Sequence, residues 1–359
     1  MRLRAAVRDS RLVRRSFSEG GFALRRALAA GLLCAAACGG PNGPSPPGQP
    51  PSAACPANIS VAGVVGGSQS VSYPLPTVTG GTQPVSVTCS PGSGTTFSTG
   101  TTTVSCTAND ASSRTAQCTF TVTLNPALKL AATKFLAFGD SFTEGEDGRS
   151  LVLHPHFIDP GGTYPFLLLG MLNAEYAAES IQVLNMGKSG ESIDMGRQRL
   201  TGALRSVRPQ ALLLLDGYND LLAACKVSQG RDANSAQCAG AINEVVGSYR
   251  KMIQDAKAQG VSYTFASTLT PSGAYIPGPN IREDRRLASS AITTANAKLI
   301  PVIRSEGATV VDSYAAFVGH EAEYIADDGL HPRRAGFQAL ADTFFQAIKT
   351  TVPSTPALH

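Results

Sequence analysis

Four polar stretches interrupt the hydrophobic runs of this chain, and their residue types could together break or form an ester bond. In Lys134-Phe135-Leu136-Ala137-Phe138-Gly139-Asp140-Ser141 an apolar run stops at Gly139-Asp140, leaving the Ser141 hydroxyl and its backbone N–H at a strand-to-helix turn. In Asp327-Asp328-Gly329-Leu330-His331-Pro332 the spacing of Asp328 and His331 lets the carboxylate accept from Nδ1–H, leaving Nε2 to deprotonate a serine. Asn185-Met186-Gly187-Lys188-Ser189-Gly190-Glu191-Ser192 offers a glycine N–H, from Gly187 or Gly190, at a helix start. Asp216-Gly217-Tyr218-Asn219-Asp220 adds a side-chain amide. Each stretch also has an ordinary reading: Asp140, Ser141, Asn219 or Asp220 as a helix cap, the glycines as a turn, Asp328–His331 as a surface pair. Singly, the ordinary reading is the commoner one; all four at successive strand ends outweigh it.

Those ends need a common edge. From Lys134 to about Val352, strand-like runs (Phe135–Phe138, Ile181–Asn185, Ala211–Leu215, Tyr263–Ser267, Thr309–Val311) alternate with helical patterns. The helical stretches are Tyr164–Ala178, Ser192–Val207, Ala241–Gln259, Arg282–Ser305 and Ala335–Lys349. Alternation of this kind predicts an α/β fold: a five-stranded parallel sheet between two helical layers, with all strand carboxyl ends on one rim. Ligands of such folds bind at that rim.

Ahead of it, residues 55–124 are dense in Thr, Ser, Val and Gly, with apolar residues and cysteines alternating in Val85–Cys89, Val104–Cys106 and Cys118–Leu124. Turn signals recur at short intervals, which predicts a small β-sandwich. A core this small gains from disulfides, and of three connectivities for its four cysteines we take Cys55–Cys118 with Cys89–Cys106. Residues 38–54, rich in Pro, Gly and Ser, read as a tether, 125–133 as a linker and 353–359 as a tail. Cys225 and Cys238 form a third pair, stapling an insertion, Leu221–Gln237, beside the site. No cysteine pair has CxxC spacing and none has a histidine nearby, so disulfides are favoured over zinc.

Gly139-Asp140-Ser141, Gly190, Gly217-Tyr218-Asn219-Asp220 and Asp328-Gly329-Leu330-His331 resemble, in order, the four blocks of the SGNH, or GDSL, hydrolases. The resemblance implies Ser141 as nucleophile, His331 as base and Asp328 as its orienter. It implies an oxyanion hole made by the Ser141 N–H, the Gly190 N–H and the Asn219 amide. Gly187 rivals Gly190, but Ser189-Gly190-Glu191-Ser192 matches the family's Ser-Gly-Asp-Thr form; Asp327 rivals Asp328 but lacks the DxxH spacing. No cofactor or metal is called for, and His154-x-His156 alone makes a weak metal site. No long apolar lid is visible, so short acyl groups are favoured, O-acetyl groups on glycans among them. An acyltransferase with the same site, and an adhesive surface protein with an inactive SGNH unit, are the competing readings. The first region, through Cys89-Ser90-Pro91, Gly100-Thr101-Thr102-Thr103-Val104, Cys106-Thr107-Ala108-Asn109-Asp110-Ala111 and Cys118-Thr119-Phe120-Thr121-Val122, resembles the hyalin-repeat (HYR) family. That implies an immunoglobulin-like fold and a spacer or adhesive role, with cell-surface or glycan contact.

The net charge of +4 is local: arginines crowd the first 26 residues against only Asp9 and Glu19, and the remainder is slightly acidic. Nucleic-acid binding therefore has no support. Arg25-Arg26 followed by the small, apolar run Ala27–Ala37 reads as an export signal over residues 1–37. Ala35-Ala36-Ala37-Cys38, with Ala35 where Leu is usual, resembles a bacterial lipoprotein box. This implies lipidation of Cys38 and attachment to the cell envelope; a plain secretory peptide is the alternative.

Overall fold

The computed structural model describes residues 48–149, 158–176, 179–281 and 283–357. The stretch read as an export signal, Cys38, His154 and His156 lie outside them.

The first region is built from short strands rich in β-branched residues. Ile59–Val64, Thr115–Pro126, Gly100–Asn109 and Ser86–Ser90 form a four-stranded sheet in that order. The first pair is parallel and the others antiparallel. Two-stranded ribbons, Ser68–Ser70 with Thr96–Ser98 and Ser52–Ala54 with Thr77–Thr79, complete the region. Alternation along Gly100–Asn109 and Thr115–Pro126 sends Val104, Cys106, Phe120, Val122 and Leu124 into one core with Tyr73 and Phe97. Disulfides join Cys55 to Cys118 and Cys89 to Cys106. Strand Ser52–Ala54 falls in the stretch read as tether. The stretch read as linker also pairs, because Leu128–Leu130 meets Ser354–Pro356 of the tail antiparallel. Leu130 and Ala132 are buried in the larger core that follows.

That core belongs to a five-stranded parallel sheet: β1 (Lys134–Gly139), β2 (Gln182–Gly187), β3 (Ala211–Leu215), β4 (Tyr263–Ser267) and β5 (Thr309–Val311), in the order β2-β1-β3-β4-β5. Every residue of β3 is buried, as expected of a strand covered on both faces. Helix α1 (Ser141–Glu144) follows β1 directly, and α2 (Tyr164–Glu175), α3 (Ile193–Val207), α4 (Tyr218–Ala224), α5 (Ala236–Ala258) and α6 (Ser289–Ser305) fill the crossovers. Two short helices, α7 (Ser313–Phe317) and α8 (Glu321–Tyr324), lead to the last, α9 (Arg334–Thr351). Helix α5 packs on α3 and α6, and α2 packs on α9, giving two helical layers about the sheet.

The strand order reverses between β1 and β3, so the loops after these strands part there and open a crevice. Helix α6 starts at Ser289 rather than Arg282. The acidic and basic residues before it pair with one another, Arg286 with Asp284 and Arg285 with Glu283, and hold that segment as a loop.

Candidate active site

Asp140 organises the turn after β1. Its Oδ1 accepts from Phe142 N at 3.1 Å as the cap of α1, and its Oδ2 accepts from Tyr218 N at 3.0 Å. One carboxylate thus joins the first block to the third. Burial pushes the Asp140 carboxyl up to about 7. Phe142 stacks on Tyr218 with ring centroids 3.7 Å apart, and its other neighbour is the His331 ring at 5.8 Å. Ser141 therefore sits on a turn held by two hydrogen bonds and an aromatic stack, close to the histidine.

His331 arrives from a tight loop. Asp328 Oδ1 accepts from the backbone N of Leu330 and of His331, both at 3.0 Å, which closes the loop and orients the carboxylate. The remaining oxygen, Oδ2, lies 2.5 Å from His331 Nδ1. On the other side of the ring, Nε2 lies 3.0 Å from Ser141 Oγ. Ser141, Asp328 and His331 are 3%, 3% and 1% exposed, so the relay is shielded from bulk water. Burial alone would lower the His331 pKa, but the Asp328 charge and hydrogen bond outweigh it and the group titrates above its usual value. Asp328 is held below its usual value because the His331 charge and hydrogen bond outweigh its own burial. Such a pair keeps Nδ1 protonated and Nε2 free to take a proton. Asp327 points away, into an ion pair with Arg333 at 2.6 Å.

The loop after β2 separates its two glycines. A Cβ on Gly187 would stand 2.1 Å from Glu144 N, so this glycine exists to let β2 pack on α1. Gly190 has φ +75° and open space where a Cβ would be, the conformation of a turn that exposes its backbone. Several contacts hold this turn: Glu144 Oε2 accepts from Ser189 N at 2.6 Å, and Arg199 grips the Glu191 carboxylate at 2.6 Å. Asn219 Nδ2 donates to Glu191 O at 3.0 Å, tying the third block to the second. Among the described residues, none accepts from the backbone N–H of Ser141 or Gly190.

Residues 137–339 match the model of the GDSL-like lipase/acylhydrolase family. The chain belongs to that family. Residues 48–124 match the HYR domain, starting before the boundary at Cys55 read from the sequence. No curated protein matches the chain. Solved structures similar to it include an acetylxylan esterase from Geobacillus stearothermophilus (20% identity, TM-score 0.45, covering 61% of this chain and 96% of that one). Others are a lipase/acylhydrolase from Enterococcus faecalis (20%, 0.44, 63% and 99%) and an α/β hydrolase from the metagenome of Lake Arreo (22%, 0.42, 62% and 97%). As a GDSL-like hydrolase the protein is an enzyme.

Two features of this GDSL-like site had no sequence signature. Glu146 brings a second carboxylate to 3.8 Å from His331 Nε2, and Arg285 meets Glu146 at 3.4 Å. Their separation of 139 residues carries no periodicity that could announce them. The disulfide Cys225–Cys238 bridges the end of α4 to the first turn of α5. With it, the described residues hold three disulfides, as suits an extracellular, oxidising compartment. No described helix is long and apolar enough to cross a membrane.

Proposed function

We propose that the protein is an exported serine esterase in which Ser141, His331 and Asp328 form the catalytic triad. The observation that carries this reading is the continuous relay from Ser141 Oγ through His331 Nε2 and Nδ1 to Asp328, at 3.0 and 2.5 Å. His331 takes the Ser141 proton as the hydroxyl attacks an ester carbonyl. The tetrahedral oxyanion is met by the N–H groups of Ser141 and Gly190 and by the Asn219 amide. His331 then gives its proton to the departing alcohol, and a water, deprotonated in the same way, releases the acid from the acyl-enzyme.

We assign the enzyme short acyl groups on a hydroxylated alcohol, such as O-acetyl groups on a glycan. Support comes from a cavity of about 320 Å³ whose lining includes Gly145, from the loop that follows α1, and Ala326 and Asp327, from the segment that precedes Asp328. Asp147, Asp159, Asp327, Arg333 and Arg334 offer partners for hydroxyls there, beside an apolar wall that includes Ile281 and Phe337. The HYR domain is assigned a spacing or adhesive role, and residues 1–37 export, with lipidation at Cys38.

The test is hydrolysis of p-nitrophenyl esters from acetate to palmitate by the wild type and by Ser141→Ala. Greatest kcat/KM for acetate, lost in the variant, is the expected result. Retained activity in Ser141→Ala refutes the triad, and a maximum at long chains refutes the acyl preference.

A further inference from the structure

The His331 ring lies between two carboxylates, and the relay uses only one. Glu146 is 3% exposed and sits just past α1, where its backbone N donates to Ser141 O at 3.0 Å. Its position is therefore fixed to that of the nucleophile. Oε2 faces His331 Nε2 at 3.8 Å, and Oε1 faces Arg285 Nη1 at 3.4 Å. Arg285 in turn donates from its backbone N to Asp328 O at 2.9 Å. A single arginine thus bridges the segments that flank the imidazole on both sides.

We propose that Glu146 is a positioning residue for His331, stabilising the imidazolium that forms when Ser141 gives up its proton, with Arg285 holding that carboxylate in place. The inference rests on the triad reading above. A charge appearing on a buried ring costs free energy unless an opposite charge already faces it. Asp328 meets that need at Nδ1, and Glu146 meets it at Nε2. At 3.8 Å the carboxylate is too distant to hydrogen-bond Nε2, so it leaves the nearer Ser141 Oγ as partner and acts through its field. Arg285 anchors the carboxylate, at the expense of some of that field. Among the described residues, the titratable and charged groups facing the ring are Asp328, Glu146, Arg285 and, from the turn before Ser141, Asp140. Glu146 and Arg285 act on His331 with opposite signs, upward and downward.

That opposition gives the test. The kcat/KM of p-nitrophenyl acetate hydrolysis is measured against pH for the wild type, Glu146→Gln, Glu146→Asp and Arg285→Gln, each checked by thermal melting. A base must be unprotonated to act, so the acid limb of the profile follows the His331 pKa. Glu146→Gln should move that limb to lower pH by about one unit and lower the plateau roughly tenfold. Arg285→Gln should move it to higher pH, and Glu146→Asp should keep it near the wild-type position. If Glu146→Gln melts early, the upward shift in Arg285→Gln and the retained limb in Glu146→Asp carry the test. An unmoved limb in Glu146→Gln, or shifts of the same sign in Glu146→Gln and Arg285→Gln, overturns the proposal while leaving the triad standing. A wild type without Ser141-dependent hydrolysis removes the triad reading, and this inference with it.

Discussion

Replacing Asn219 by alanine separates an oxyanion donor from a purely structural tie between loops. The side-chain amide carries two N–H groups, and one is committed to Glu191 O at 3.0 Å. The other is left for a substrate oxygen. Asn219→Ala removes both. Losing the second costs about 3–4 kcal/mol of transition-state stabilisation, which lowers kcat by about a hundredfold to a thousandfold. Losing the first leaves a carbonyl without its partner, at about 1 kcal/mol of folding stability. The two effects are read separately. Steady-state hydrolysis of p-nitrophenyl acetate gives kcat and KM, and urea unfolding gives stability. Because the oxyanion exists only after attack, kcat and kcat/KM should fall together while KM stays within about threefold of wild type. A kcat within about fivefold of wild type, in a variant that unfolds like wild type, would falsify the role given to this amide.

Other expectations follow from particular contacts. Asp328→Asn keeps the loop's shape but favours the wrong imidazole tautomer, so kcat should fall by about four orders of magnitude; a loss below tenfold would exclude Asp328 as the orienter. Changing Cys225 and Cys238 to serine opens a staple of sequence separation 13 and should lower stability by about 3 kcal/mol in urea unfolding. Activity should fall too, since Cys225 O accepts from Ala288 N and Val227 N donates to Arg286 O, beside the residue bonded to Asp328 O. Unchanged stability and activity would argue against that coupling. In the HYR domain, hydrogen bonds from Thr82 N and then from Arg114 hold the Asp110 carboxyl down at about 2. A depressed carboxyl contributes stability above its unfolded pKa and loses it as pH falls through the folded value. Asp110→Asn should therefore melt below wild type at pH 7, with the gap closing between about pH 4 and pH 2. A gap independent of pH would contradict this.

The buried sheet was the most legible part of the sequence. Ala211–Leu215, Tyr263–Ser267 and Thr309–Val311 are strands over those same residues, the first as a continuously apolar run covered on both faces and the others as short runs rich in β-branched and aromatic residues. The long helices were found to within about five residues at each end, except for the start of α6. Their ends shifted where polar residues chose tertiary partners over helix, as in the ion-paired loop before Ser289. Helices α7 and α8 left no trace, being too short to show a period. The places of Ser141, Gly190, Asn219, Asp328 and His331 in the fold were legible because each lies at a strand end or in a short loop with a local pattern. Glu146 and Arg285 were not, since their meeting depends on how two distant loops fold onto one rim. The pairing of Leu128–Leu130 with the tail was hidden for the same reason: neither strand has a pattern long enough to name its partner.

The central claim is that Ser141 is a nucleophile activated by His331. A fluorophosphonate reacts covalently only with such a hydroxyl, and peptide mass mapping locates the adduct. The account predicts a single adduct on Ser141 in the wild type, none in Ser141→Ala, and strongly slowed labelling in His331→Gln. An unlabelled wild type, or equal labelling of wild type and Ser141→Ala, would contradict it.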